Sequence, residues 1–438
     1  MNNNFLLADE AKMRIASGAF DRKLACWYGV SGDSLTHYRE RLIDAIDRFT
    51  GIYGDRPLRV FSVSGRTELG GNHTDHQRGR VLAGGISLDL IAVAAPNDTA
   101  EIQVYSEGYG ESRMNVTETD MIPEECGTSA ALIRGTAARF AQLGRPVGGF
   151  AAFITSDVPA GSGMSSSAAY EVMIGTICND FYADASLSQA ELAIIAQFAE
   201  NIYFGKPCGL MDQMACALGG VAAIDFADPA APRWEQLRLD LAKEGYALCI
   251  IDSGADHADL TDEYAAVPAE MKSVAEMLGK RYLRETDESA FWKKLPELRR
   301  ACGDRAVLRA MHFYSENARA AEQASALRSG RFSDYLALVN ASGRSSEAHL
   351  QNITPGGSVT RQAVAAALAL CEKLLSGKGA YRVHGGGFAG TVQAYVPLAE
   401  SESFRQEIDR VLGAGACHVL QIRACGASAL WDIQEGAE

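Results

Sequence analysis

The sequence predicts a mixed α/β fold in two lobes, and three observations carry that reading. A chain of 438 residues, 47% of them hydrophobic, can bury a large interior but is long for a single core. Short apolar runs bounded by turn residues alternate along it with helically periodic segments. A glycine-rich turn adjoins such a run in each half, at residues 159–169 and again at 385–390.

The first 55 residues read as charged helices that stop at Gly51-Ile-Tyr-Gly-Asp-Arg-Pro57, where glycine and proline break the pattern. Strands are predicted at Leu58–Val63, at Leu90–Ala95 and, by alternation, at Ile102–Tyr105. Phe150–Ile154 reads as a buried strand and Ala168–Cys178 as a helix with an apolar face. A further helix spans Ser188–Phe204 and opens on Ser188-Gln-Ala-Glu191, a capping box. Beyond Gly219-Gly220 lie strands at Val221–Asp225 and Tyr246–Asp252, then a mainly helical stretch over about 260–350. The last glycine turn leads into an alternating strand, Thr391–Val396. The sequence shows no internal repeat and no low-complexity linker.

Composition excludes several function classes. A net charge of −14 with no basic stripe argues against a nucleic-acid surface. No run reaches the ~18 apolar residues of a membrane span, and the N-terminal segment lacks a basic stretch followed by an apolar core. The ten cysteines show neither C-x-x-C pairs nor regular spacing, which predicts reduced thiols and no zinc ribbon. A cytoplasmic protein is expected.

Three clusters carry chemistry. In Pro159-Ala-Gly161-Ser162-Gly163-Met164-Ser165-Ser166-Ser167-Ala168-Ala169, a glycine turn leads into hydroxyl residues at a helix start. Glycines let the backbone approach an anion, and the free N–H groups of the helix favour negative charge there. The logic is that of a P-loop, but Met164 stands where the Walker pattern requires a lysine after its second glycine. Taken alone, such a turn is also an ordinary strand-to-helix connection. The second cluster, Gly65-Arg-Thr-Glu-Leu-Gly-Gly-Asn-His-Thr-Asp-His76, reads as a polar segment between strands, with donors and acceptor-only carboxylates suited to sugar hydroxyls. A hydrated loop has the same composition. The third, Glu200-Asn-Ile-Tyr-Phe-Gly-Lys-Pro-Cys-Gly-Leu-Met-Asp-Gln213, places one acid near a helix end and another in a turn with apolar neighbours.

In this order the clusters resemble the galactokinase branch of the GHMP small-molecule kinases. Gly65-Arg66 with Gly71-Asn-His-Thr-Asp75 resembles the family's sugar signature, G-R-x-N-L-I-G-E-H-T-D-Y. Pro159–Ala168 resembles the ATP loop P-x-G-x-G-L-S-S-S-A, and Pro207–Gln213 resembles P-C-G-I-M-D-Q. Gly385-Gly-Gly-Phe-Ala-Gly390 resembles G-G-G-F-G-G, with weaker likeness at Ser315-Glu-Asn317 and Asp262-Glu-Tyr264.

The resemblance implies an N-terminal lobe of ribosomal-protein-S5 type over residues 1–220 and a ferredoxin-like lobe over 221–438, with the site between them. It implies ATP-dependent phosphorylation of a hexose at its anomeric hydroxyl, with Asp212 as base and Arg66 beside it, holding it ionised and neutralising charge on the transferred group. Residues Gly161, Ser162, Gly163, Met164, Ser165, Ser166, Ser167 and Ala168 match the nucleotide loop. Ser167 and Glu200 match the places where the family holds Mg²⁺, a cation that favours hard oxygen ligands. Asn72, His73, Asp75, Gly209 and Tyr264 fall where the family contacts the sugar. The implied partners are a small sugar and MgATP.

Departures from the pattern cluster on the sugar side. Asn72 stands for the family's acid, Glu68 for its asparagine, His76 for its aromatic, Gly70 for its isoleucine, and Val63-Ser-Gly-Arg66 for its A-P-G-R lead-in. The reaction class is therefore expected to hold, while two alternatives stand beside galactose: a kinase for a sugar altered at carbon 6, such as galacturonate, and a sugar- and ATP-binding sensor without turnover.

Overall fold

The central strands of the first half are apolar at nearly every position because both of their faces are buried. Side chains alternate across a strand. Val60, Ile91, Val93, Ala151 and Phe153 face one helical layer, while Phe61, Val63, Leu90, Ala92, Ala94, Phe150, Ala152 and Ile154 face the other. The computed structural model describes residues 5–159, 163–255 and 260–431.

The strands are β1 (Arg59–Gly70), β2 (Arg80–Pro96), β3 (Glu101–Ser106), β4 (Gly110–Asn115), β5 (Phe150–Ser156), β6 (Val221–Asp225), β7 (Arg233–Leu237), β8 (Tyr246–Asp252), β9 (Ala380–Val383), β10 (Thr391–Pro397), β11 (Cys417–Leu420) and β12 (Ser428–Ala429). One sheet runs β12-β1-β2-β5-β3-β4, with β6 on β2 and β7 on β6; the other runs β11-β8-β10-β9. Only the β3–β5 pairing is parallel among those of the described residues.

Three helices, α1 (Ala8–Ala16), α2 (Asp21–Tyr28) and α3 (Thr36–Tyr53), form the expected N-terminal helical region, and Trp27, Ile46 and Phe49 bury against the outer face of the first sheet. The opposite face is covered by α4 (Ser129–Gln142), α5 (Ser166–Tyr182), α6 (Gln189–Phe198) and α7 (Met211–Leu218). The predicted capping box at Ser188 is formed: its hydroxyl accepts from the Glu191 N–H while the Glu191 carboxylate accepts from Ser188. The helix continues past α6 as one π-helical turn, Ala199–Phe204.

The stretch expected to be helical holds α8 (Thr261–Met277), α9 (Glu288–Cys302), α10 (Asp304–Arg328) and α11 (Phe332–Ser345). Helices α12 (Ala363–Leu375) and α13 (Ser401–Leu412) back the second sheet around Val383, Val392 and Ala394. None of the described helices is long and apolar enough to cross a membrane.

Two expectations are corrected. The polar cluster lies between strands only from Gly71 onward, since Gly65–Gly70 continues β1 with register shifts at Ser64/Arg66 and Glu68/Gly70. Bulges re-aim side chains at strand ends, and glycine permits the first: a Cβ on Gly65 would come 2.9 Å from the Met164 carbonyl oxygen. The expectation that every thiol is reduced fails at Cys26 and Cys425, which form a disulfide across 399 residues with Cα atoms 5.7 Å apart. Strand β12 returns to β1, Phe61 opposite Ala429, and this return brings Cys425 to α2.

Candidate active site

Arg66 and Asp212 form the centre of the site. The β1 bulge presents the guanidinium, and α7 presents the carboxylate in its first turn, where the helix dipole favours an anion. Arg66 Nε donates to Asp212 Oδ1 at 2.7 Å and Nη2 donates to Oδ2 at 2.9 Å, a bidentate pair. Arg66 Nη1 also donates to the Gly163 carbonyl, and Ser165 Oγ donates to Asp212 Oδ2. Burial alone would push the Asp212 carboxyl up; Arg66, with Ser165 and Lys206, outweighs it and holds the group down at about 2. The Asp212 side chain still keeps 32% of its surface open, against 7% for Arg66.

The nucleotide-loop candidate reaches this pair from the other side. Gly163 (φ 71°) and Ser165 (φ 62°) both adopt left-handed backbone, and α5 starts at Ser166. Ser166 and Ser167 are half-buried in the first turn, whereas the Met164 and Ala168 side chains are buried in the core. Those two residues can offer a ligand only backbone groups. Gly161 and Ser162 lie outside the described residues.

The turn at Gly385–Gly387 gathers the sugar-signature residues. Asn72 Nδ2 donates to Gly385 O at 2.7 Å, His73 Nε2 lies 3.0 Å from Gly386 O, and the Tyr264 hydroxyl donates to Gly387 O at 2.7 Å. A Cβ on Gly386 would lie 2.6 Å from the Tyr264 ring, and one on Gly385 would lie 3.9 Å from the Arg66 guanidinium. Burial, joined by His76, pulls His73 down to about 3, so its ring is neutral near pH 7 and Nε2 carries the proton given to Gly386. Asp75 Oδ1 accepts from the His76 N–H at 2.9 Å, and its Oδ2 packs against Gly209 so closely that any side chain there would overlap the carboxylate.

Asn72 has no exposed surface. Its amide donates to both Glu68 carboxylate oxygens, at 3.0 and 3.1 Å, and its carbonyl accepts from Asn352 Nδ2 at 3.0 Å and Ser346 Oγ at 3.3 Å. Glu68 in turn forms a buried ion pair with Arg382 of β9. The polar atoms of the Asn72 side chain are thus all engaged within the protein.

Glu200 lies on the π turn that continues α6. Its side chain is 3% exposed, with Oε1 3.0 Å from Lys206 Nζ and Oε2 accepting from Gln213 Nε2 at 2.7 Å. Gln213 Nε2 also lies 3.3 Å from Glu171 Oε2, and burial beside Glu200 pushes the Glu171 carboxyl well up. Glu171 Oε1 and Gln213 Oε1 are buried without a hydrogen-bond partner. Ser167 lies four residues before Glu171 on one face of α5. Among the described residues no three His, Cys, Asp or Glu side chains form a ready metal cluster. The oxygen-only donor set still fits Mg²⁺, which keeps several waters and takes one or two protein ligands beside substrate phosphates.

Arg382, Glu171, Gln213 and Lys206 were not singled out from sequence. Gln213 closes the P-C-G-L-M-D-Q segment, and Glu171 is an acid on an otherwise apolar face, so both left a signal; Arg382 left none in its short strand.

Residues 131–220 match the model of the GHMP kinases N-terminal domain, and residues 47–96 match that of the galactokinase galactose-binding signature. Galactokinase of Streptomyces coelicolor is 30% identical over 286 residues, 65% of this chain and 73% of that protein. The crystal structure of Lactococcus lactis galactokinase complexed with galactose aligns with a TM-score of 0.75 at 23% identity, covering 88% of this chain and 99% of that one. Mevalonate kinase of Methanococcus jannaschii aligns with a TM-score of 0.55 at 14% identity over 83% of this chain and 98% of that one. The structural likenesses extend the match in fold to most of the chain.

Proposed function

The chain belongs to the galactokinase family, and from that premise we propose that it transfers the γ-phosphoryl group of ATP to the anomeric hydroxyl of galactose. It is a sugar kinase of the GHMP fold. The observation that carries the residue assignment is the bidentate Arg66–Asp212 pair, placed where the nucleotide loop, the β1 bulge and the Gly385 turn meet. Phosphoryl transfer asks chiefly for positioning and charge neutralisation. A carboxylate held at about 2 is a weak base, so Asp212 first orients the sugar hydroxyl, replacing the Ser165 donor, and takes its proton late, as the O–P bond forms. Arg66 stays beside it and offsets charge on the transferred group.

Gly163 and the first-turn amides of α5 line the phosphates, and Asp75, His73 and Tyr264 line the sugar, with Gly209 leaving room for the Asp75 carboxylate. Ser167 and Glu200 would hold Mg²⁺, which supplies charge neutralisation on the phosphates when bound. We take the lobes to divide between β7 and β8, past the expected residue 220, because β6 and β7 extend the first sheet, to which β12 also returns. A cytoplasmic location suits an enzyme that consumes ATP.

The alternative of a sugar altered at carbon 6 rested on the departures at Asn72, Glu68 and His76; Asn72 and Glu68 are buried and paired with each other, which leaves His76 alone to favour it, so galactose is the reading kept. A sensor without turnover has no use for both Arg66 and Asp212. The deciding experiment measures MgATP turnover with galactose, galacturonate, arabinose, glucose and N-acetylgalactosamine. Galactose is expected to exceed the others by at least about tenfold in kcat/KM, since a site built to pair hydroxyls discriminates strongly against altered ones. Absence of galactose phosphorylation, or a clear preference for galacturonate, would overturn the assignment.

A further inference from the structure

Glu200 is closed on all but one side. Gln213 holds its Oε2 from within the protein, and Gln213 has no exposed surface. Lys206 holds Oε1 from the open side, with 60% of its own side chain exposed. The lysine backbone is fastened to the same turn, its N–H donating to the Glu200 carbonyl at 3.1 Å, so the base of its side chain stays beside Glu200 while the flexible stem leaves the ammonium free to swing. Its charge interacts favourably with Glu200 and also with Asp212, so the ammonium is within electrostatic reach of both carboxylates. Any cation that reaches Glu200 must first displace this ammonium, because displacing Gln213 would open the core.

We propose that Lys206 is an exchangeable positioning cation: it neutralises Glu200 in the ligand-free enzyme, excludes a free divalent ion from that carboxylate, and passes to the phosphates of the nucleotide when metal and nucleotide enter together. The inference rests on the reading of Glu200 as a metal position. A compact ammonium on a flexible four-carbon stem suits such an exchange, where a planar guanidinium would hold one geometry. The consequence is ordered loading. Metal without nucleotide binds poorly, and nucleotide supplies the anion that draws the lysine away.

The test uses the full-length enzyme and Mn²⁺ as probe, with the dissociation constant read by water-proton relaxation rather than by turnover. Lys206→Met is expected to bind Mn²⁺ at least about fivefold more tightly than wild type without nucleotide, the size of a partly exposed ion pair. Lys206→Arg keeps the charge and should stay near wild type. In the presence of a non-hydrolysable ATP analogue the advantage of Lys206→Met should disappear, because the wild-type lysine has then moved. Equal Mn²⁺ affinity in wild type and Lys206→Met, with Glu200→Gln weakening Mn²⁺ binding in both, would overturn the exchange and leave Glu200 as a metal position. A gain from Lys206→Met that survives in the Glu200→Gln/Lys206→Met double variant would instead show that the ion sits elsewhere, and both readings would fall.

Discussion

At Asp212 three donors compete for one carboxylate, and in the proposed reaction the sugar hydroxyl replaces one of them. Ser165 is the exchangeable donor, because Arg66 holds both oxygens in a planar fork whereas a hydroxyl turns freely. Asp212→Asn keeps the shape and removes the charge; kcat should fall by ~10²–10⁴-fold while galactose affinity, read by calorimetry, changes little. A variant with more than about half of wild-type kcat would remove Asp212 from the proton path. Arg66→Lys should also lower kcat more than it raises KM, since an ammonium cannot span both oxygens and the Gly163 carbonyl together. Loss confined to KM in steady-state kinetics would mean that Arg66 binds ground state and transition state alike.

The secondary-structure elements decide how these side chains converge. The β1 bulges re-aim Arg66, the start of α7 aims Asp212, and the Gly163–Ser165 backbone turns twice through left-handed conformations before α5 begins. A β-branched residue at Gly163 meets both φ 71° and a Thr391 hydroxyl 3.2 Å from its Cβ. Gly163→Val should therefore weaken ATP binding by at least about tenfold, a strain cost of the order of 1–2 kcal/mol, with galactose affinity nearly unchanged. Intact ATP affinity in calorimetry on the folded variant would make this turn a connection without a phosphate role.

Across the whole molecule, buried titrating groups set the response to acid. His73 is held at about 3, below its ordinary 6.5, so between those values the unfolded chain binds a proton that the folded chain refuses. Its contribution to stability is complete above the unfolded value and is lost as pH falls toward 3. Asp212 and Glu316 are each held at about 2 against burial, Asp212 by Arg66 and Glu316 by His312 and Arg319, and their contributions drain away lower down, from about 4 toward 2. Denaturant titrations at pH 7, 6, 5 and 4 should show stability declining with an uptake of at least about one proton on unfolding. His73→Gln, whose amide can still donate to Gly386, should reduce that uptake by about one proton between pH 6 and 4. An unchanged pH slope would show that His73 titrates normally in the folded enzyme.

What the sequence determined by itself was local: the capping box at Ser188, the helices on either side of the sheet strands, the glycine turns, and the identity and order of the residues proposed to handle phosphate and sugar. Each of these is written in neighbouring residues, through hydrogen bonds that close within a turn or side chains that alternate along a strand. Only the tertiary structure decided which of those residues face a ligand. Asn72 reads like a sugar contact beside His73 and Asp75, yet Glu68, Asn352, Ser346 and the Gly385 carbonyl consume its amide, and three of those partners lie more than 270 residues away in sequence. Glu68 belongs to a segment whose composition also suits a hydrated loop, until β9 brings Arg382 to it, and Cys26 reads as a reduced thiol until β12 pairs with β1 and carries Cys425 to α2. These pairings follow from strand order and from the bulged register of β1, and neither can be read from the local pattern of any one segment.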